Sequence, residues 1–118
     1  STGETREEIL RNHTFRSGSV WCEVAGGDSY FTGGWSKHPL NEVVRVSGSS
    51  LEMTQKSPMI VARVLHGIVF HSNYLYVIGG NNGRVIGDCE RLSVGEDRWE
   101  ALQPLPKACC NVSVVVVK

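Results

Sequence analysis

Tyr74-Leu75-Tyr76-Val77-Ile78-Gly79-Gly80 is an apolar run of strand-forming residues that ends in a glycine pair. Branched and aromatic side chains suit a pleated, half-buried surface. Paired glycines suit a turn or a close backbone approach. Upstream stands a second short apolar run, Gly67-Ile68-Val69-Phe70, joined to the first across a turn at Ser72-Asn73. Downstream, Asn81-Asn82-Gly83-Arg84 reads as a loop, Cys89-Glu90-Arg91-Leu92 alternates, and Ser93 to Asp97 reads as a turn. Arg98-Trp99-Glu100-Ala101-Leu102 alternates again, and Gln103-Pro104-Leu105-Pro106 stops the series. The pattern predicts four short strands, each too short to hold a core alone.

The same series stands 46 residues earlier. Gly33-Gly34 matches Gly79-Gly80, and Tyr30, Arg45, Ser47, Pro58 and Ala62 match Tyr76, Arg91, Ser93, Pro104 and Ala108. Phe31 with Val77, Glu42 with Asp88, Val46 with Leu92 and Met59 with Leu105 are similar pairs at the same offset. Four short strands repeated at this period suggest propeller blades. Composition agrees: 16 Val, 13 Gly and only 4 Ala in 118 residues favour many short strands joined by tight turns over helices.

Tyr74 to Gly80, Glu90-Arg91, Trp99-Glu100 and Pro104-Leu105-Pro106 together resemble a kelch repeat. Ala62-Arg63 followed by His66 resembles the opening of a kelch unit. The resemblance covers about residues 19–118 and implies an all-β fold of kelch-type propeller blades: two four-stranded blades plus the first strand of a third, a partial propeller. The expected divisions are an N-terminal extension or linker at 1–18, a degenerate blade at 19–64, a second blade at 65–108, and the extra strand at 109–118. The first copy departs most. Met53 stands where the second copy has Trp99, Val46 and Leu92 replace the family's third-strand tyrosine, and Cys109 stands where Arg63 would repeat. The first blade is therefore expected to pack more loosely.

A ring needs roughly four blades or more, and only closure removes its edges. At the 46-residue offset the next glycine pair would fall beyond Lys118. Completion by other blades, by further copies or by a larger parent chain is expected, with a longer kelch protein ahead of a ring of copies.

Charge and chemistry narrow the function. Twelve basic and twelve acidic side chains leave no basic field for a nucleic-acid backbone, and no apolar run reaches the roughly 20 residues that span a bilayer. Cys22, Cys89, Cys109 and Cys110 form no CxxC pair, so they read as reduced, small apolar side chains in a cytoplasmic protein. Sequons at Asn12-His13-Thr14 and Asn111-Val112-Ser113 keep a secreted alternative open. His13, His38, His66 and His71 have no metal-ligand spacing, and the resemblance, which puts His66 in the family's Ala-Arg-x-x-His position, implies a structural hydrogen bond for it. The glycine pairs lack the Lys-Ser/Thr of a phosphate loop. Glu7-Glu8 and Glu96-Asp97 read as solvated turns or termini. No catalytic residue, metal or cofactor is expected.

What remains is surface. In kelch propellers the loop after the glycine pair and the loop between blades share one face, where partners bind. By position the resemblance assigns that role to Trp35, Lys37, His38, Val64, Leu65, Asn81, Asn82 and Arg84. Trp35 leads, because Trp and Arg are enriched among binding hot spots. The implied function is protein–protein recognition, as the substrate-recognition part of a kelch adaptor for a cullin ubiquitin ligase. The alternatives are part of a galactose-oxidase-like copper enzyme or an actin- or cytoskeleton-associated kelch protein.

Overall fold

The computed structural model describes residues 18–110. Most of the expected extension at 1–18, most of the expected strand at 109–118, and both sequons lie outside the described residues.

Ten strands follow one another: β1 Val20–Glu23, β2 Ser29–Thr32, β3 Trp35–Ser36, β4 His38–Pro39, β5 Val43–Val46, β6 Met53–Gln55, β7 Gly67–His71, β8 Tyr74–Asn81, β9 Val85–Ser93 and β10 Arg98–Leu102. Apart from a 3-10 turn at Ala25–Gly27, the described residues hold no helix. The strands form two antiparallel four-stranded meanders, β1-β2-β5-β6 and β7-β8-β9-β10, and β3-β4 is a small separate hairpin. This is the all-β, blade-like architecture that the repeat implies.

The offset of 46 reappears in the backbone. Gly34 N–H donates to Arg63 O and Gly80 N–H to Cys109 O; Arg63 N–H donates to Leu40 O and Cys109 N–H to Ile86 O. Gly33 and Gly34 have φ of 67° and 116°, and Gly79 and Gly80 have 65° and 108°. Leu51 and Asp97, equivalent turn residues, both lie in the left-handed region at 60° and 54°. The offset slips only in the first strand: Val20 pairs with Thr32, whereas Gly67 pairs with Ile78. The loop Val24 to Asp28 makes the first hairpin one residue longer.

Strand bounds differ from the sequence reading in the second unit. The glycine pair does not stop the strand. β8 runs through it with a register shift between Ile78 and Gly80, and pairing resumes at Gly80 with Ile86 and Asn81 with Val85. β9 consequently starts at Val85, ahead of the expected Cys89. A bulge lets the chain bend while the ladder continues.

The core lies between the two sheets. Val24, Tyr30, Val43 and Met59 from the first unit meet Leu75, Val77, Leu92 and Trp99 from the second, with Cys22, Ile68, Phe70 and Val94 at its margin. Pairing accounts for the sidedness. Tyr30, Val43 and Cys22 share one face of the first sheet, and Leu75, Leu92 and Trp99 lie side by side on the facing surface of the second. Trp99 is 9% exposed and donates its Nε1–H to Ser57 O at 2.8 Å. Its equivalent, Met53, is 38% exposed. The weaker side chain expected in the first blade is thus one that packs less.

Candidate functional site

Both glycine pairs face the same end of the molecule, and the segment joining the units runs between them. Gly34 N–H reaches Arg63 O on one side of this segment, and Val64 exchanges two backbone hydrogen bonds of 2.9 Å with Asn81 on the other. Cys109 flanks the far side of the second loop through its two bonds to Gly80 and Ile86. The result is a row of four segments: the Trp35–Pro39 hairpin, Val64-Leu65, Asn81 to Val85, and the chain at Cys109.

The row brings together every residue assigned from the resemblance. Trp35 pairs with Pro39 across the first tip, and Asn81 pairs with Val85 across the second. The two tips are equivalent: Lys37 has φ 67° and its counterpart Gly83 has φ 114°. Trp35 is 49% exposed and Leu65 42%; Lys37, His38, Asn82 and Arg84 are exposed, while Val64 and Asn81 are half-buried. His38 donates Nδ1–H to Pro39 O at 2.8 Å, which holds its ring over the tip. Asn81 Oδ1 accepts Gly83 N–H at 2.9 Å and shapes the second tip. Val85, 41% exposed, joins the row; the sequence reading assigns it no role, because the strand register that turns it outward is set by the bulge.

Two buried charges hold the row in place. Arg63 is 0% exposed and Glu90 1%. Arg63 Nη2 donates to Glu90 Oε2 at 2.8 Å, and Nη1 donates to Gly79 O at 2.8 Å and Asp88 O at 2.7 Å. Glu90 also accepts Ile60 N–H at 2.7 Å and Val61 N–H at 3.0 Å. A desolvated pair survives only when its remaining hydrogen-bonding capacity is met, and here the backbone of the linker meets it. The linker is therefore clamped to the second sheet immediately before Val64-Leu65. Asp97 adds an outer tie. Its carboxylate accepts Ser57 N–H at 3.1 Å, and its carbonyl accepts the Ser57 hydroxyl at 2.7 Å. That corrects the reading of Asp97 as merely solvated.

His66 fills the space beneath the row. It is 2% exposed, and its Nε2 lies 2.7 Å from Thr32 Oγ1. Thr32 Oγ1 donates its own proton to Val20 O at 2.9 Å. It therefore accepts from His66, which assigns the neutral Nε2–H tautomer and leaves Nδ1 without a partner. Burial, helped by the nearby Arg63 cation, lowers the imidazole pKa to about 3. A structural hydrogen bond is the role this geometry gives it. The glycines around it are required by space: a Cβ on Gly33 would lie 2.2 Å from Arg63 O, and one on Gly80 would lie 2.7 Å from Val64 O.

No group of three His, Cys, Asp or Glu side chains among the described residues is placed to hold a metal ion. No helix among them is long and apolar enough to cross a membrane. A groove of about 200 Å³ lies beside the row's supports, lined by Ile60, Val61, Cys89, Ala101, Leu102 and Pro104.

Comparison with known proteins gives the same picture. The kelch motif matches residues 62–106. Kelch-like protein 25 of Rattus norvegicus is 28% identical over 88% of this chain, and the human protein is equally similar. Kelch repeat and BTB domain-containing protein 2 of Ectromelia virus (strain Moscow) is 26% identical over 79% of the chain. The chain spans 19% of the length of Kelch-like protein 25 and 16% of the viral protein.

Proposed function

Residues 62–106 match the kelch motif, and on that premise we propose that this chain works as a protein-binding module through the row of loops at its glycine-pair end. The observation that carries the reading is the rigid support under an exposed row. Glycine pairs, the Arg63–Glu90 clamp and His66 are buried, whereas Trp35, Leu65, Lys37 and Arg84 above them are open to a partner. Preorganised exposed anchors bind with a smaller ordering cost than mobile ones.

The finer proposal is that the module selects substrates for a cullin ubiquitin ligase. It is supported by the BTB domain in the printed name of the viral relative. Further blades of a longer chain would complete the ring, and a reducing cytoplasm would suit Cys22, Cys89 and Cys109, which form no disulfide. Affinity purification of the intact protein, compared with its Trp35→Ala and Arg84→Ala variants, tests both levels. Partners lost from the variants, with unfolding midpoints unchanged, are expected. Partners retained by both variants would remove the loop row as the binding surface. Absence of any cullin from the wild-type complexes would remove the adaptor role alone.

A further inference from the structure

We infer that the occupant of the loop row is an acidic protein segment bearing an apolar side chain. This deepens the proposed loop-face reading and rests on it. Residues 18–110 contain eight lysines and arginines. Four of them, Arg45, Lys56, Arg63 and Arg91, are ion-paired with Asp28, Asp97, Glu90 and Glu100. Of the four without such a partner, two fall in the row, Lys37 at the first tip and Arg84 at the second; Lys107 and Arg98 stand outside it.

The carboxylates nearest the row along the chain are Glu42 and Asp88, in equivalent positions behind the two tips, and neither is ion-paired with Lys37 or Arg84. Cations elsewhere on the molecule are thus largely neutralised, and those in the row are left available. Between them stand Trp35, Leu65 and Val85, each 41–49% exposed. Carboxylates facing Lys37 and Arg84 would steer encounter and fix register, while one aliphatic or aromatic side chain set against Trp35 and Leu65 would supply buried apolar area. The net charge of zero speaks against a polyanion such as nucleic acid, which needs a broad basic field.

Fluorescence anisotropy with the intact protein tests the inference. Three labelled pools of short peptides each carry one Leu or Phe, set among Asp/Glu, Asn/Gln or Lys/Arg; a labelled single-stranded oligonucleotide is a fourth probe. The acidic pool is expected to bind tightest and to weaken as salt rises. Lys37→Glu and Arg84→Glu should each weaken it about fivefold or more. Both side chains are exposed, so unfolding midpoints should hold. Equal binding of the neutral pool, tighter binding of the basic pool or of the oligonucleotide, or no binding by the acidic pool would each overturn the inference. A native partner that needs Trp35 but is indifferent to both charge reversals would also sink it, while leaving the loop-face reading intact.

Discussion

At the scale of single residues, the molecule stakes its central joint on Arg63 and Glu90. Removing one member of a buried pair leaves an uncompensated charge, which costs about 3–5 kcal/mol. Glu90→Ala should lower stability by that amount in urea unfolding, and it also orphans the Ile60 and Val61 N–H groups. Arg91, half-buried, bonded to Glu100 and lying 3.9 Å above the Tyr74 ring, offers a contrast. Arg91→Ala should cost far less than Glu90→Ala in the same unfolding experiment, because its charge stays in contact with water. His66 makes stability depend on pH. Its folded pKa is lowered to about 3, so below its ordinary value near 6.5 the unfolded chain takes up a proton that the folded chain refuses. Stability is unaffected by this group above about pH 6.5 and falls by about 1.4 kcal/mol per pH unit as pH drops from there toward 3. Urea midpoints measured across that range should show the slope, and His66→Gln should flatten it. Little of this was legible in the sequence. Arg63 and Glu90 lie 27 positions apart, and nothing in an alternating strand says that one of its polar positions points into the core. The resemblance marked Arg63 and His66 as pattern residues, but burial is what makes them structural.

The glycine pairs decide matters at the level of strands and turns. Gly80→Ala would place a methyl 2.7 Å from Val64 O, against backbone that cannot yield cheaply, whereas Gly83→Ala meets open space at φ 114°. Gly83→Ala should therefore cost about 1 kcal/mol from conformation alone, and Gly80→Ala clearly more; thermal unfolding of the two variants would show the order. Trp99→Ala removes a core side chain and the bond to Ser57, for about 3–5 kcal/mol. The strands themselves were readable, because short apolar or alternating runs bounded by Gly, Pro and Asn have few other solutions. The bulge in β8 was not. It is a compromise between a glycine pair that must approach Val64 and a ladder that gains hydrogen bonds by continuing, and only the approach of the linker reveals it.

For the molecule as a whole, repetition was the most informative signal and the proposed binding surface the least legible. An offset of 46 residues shows in the letters, and the backbone obeys it bond for bond from Gly34 and Gly80 onward. The row of loops shows in no local pattern, because it is assembled from four segments whose side chains share no composition. Trp35→Ala is expected to weaken partner binding by about 1 kcal/mol or more while leaving the unfolding midpoint in place, which titration calorimetry and a thermal melt would establish together. The equivalence of the two tips has a consequence for how such a surface changes. Trp35-Ser36-Lys37-His38 and Asn81-Asn82-Gly83-Arg84 ride one backbone design, with a left-handed residue at the same step and equivalent pairs, Trp35 with Pro39 and Asn81 with Val85, closing the turns. The chain has in effect written two unrelated tetrapeptides into the same slot. Recognition can then be rewritten by grafting a tip, and the scaffold below, whose geometry is secured by buried glycines and a buried ion pair, need not be redesigned to receive it.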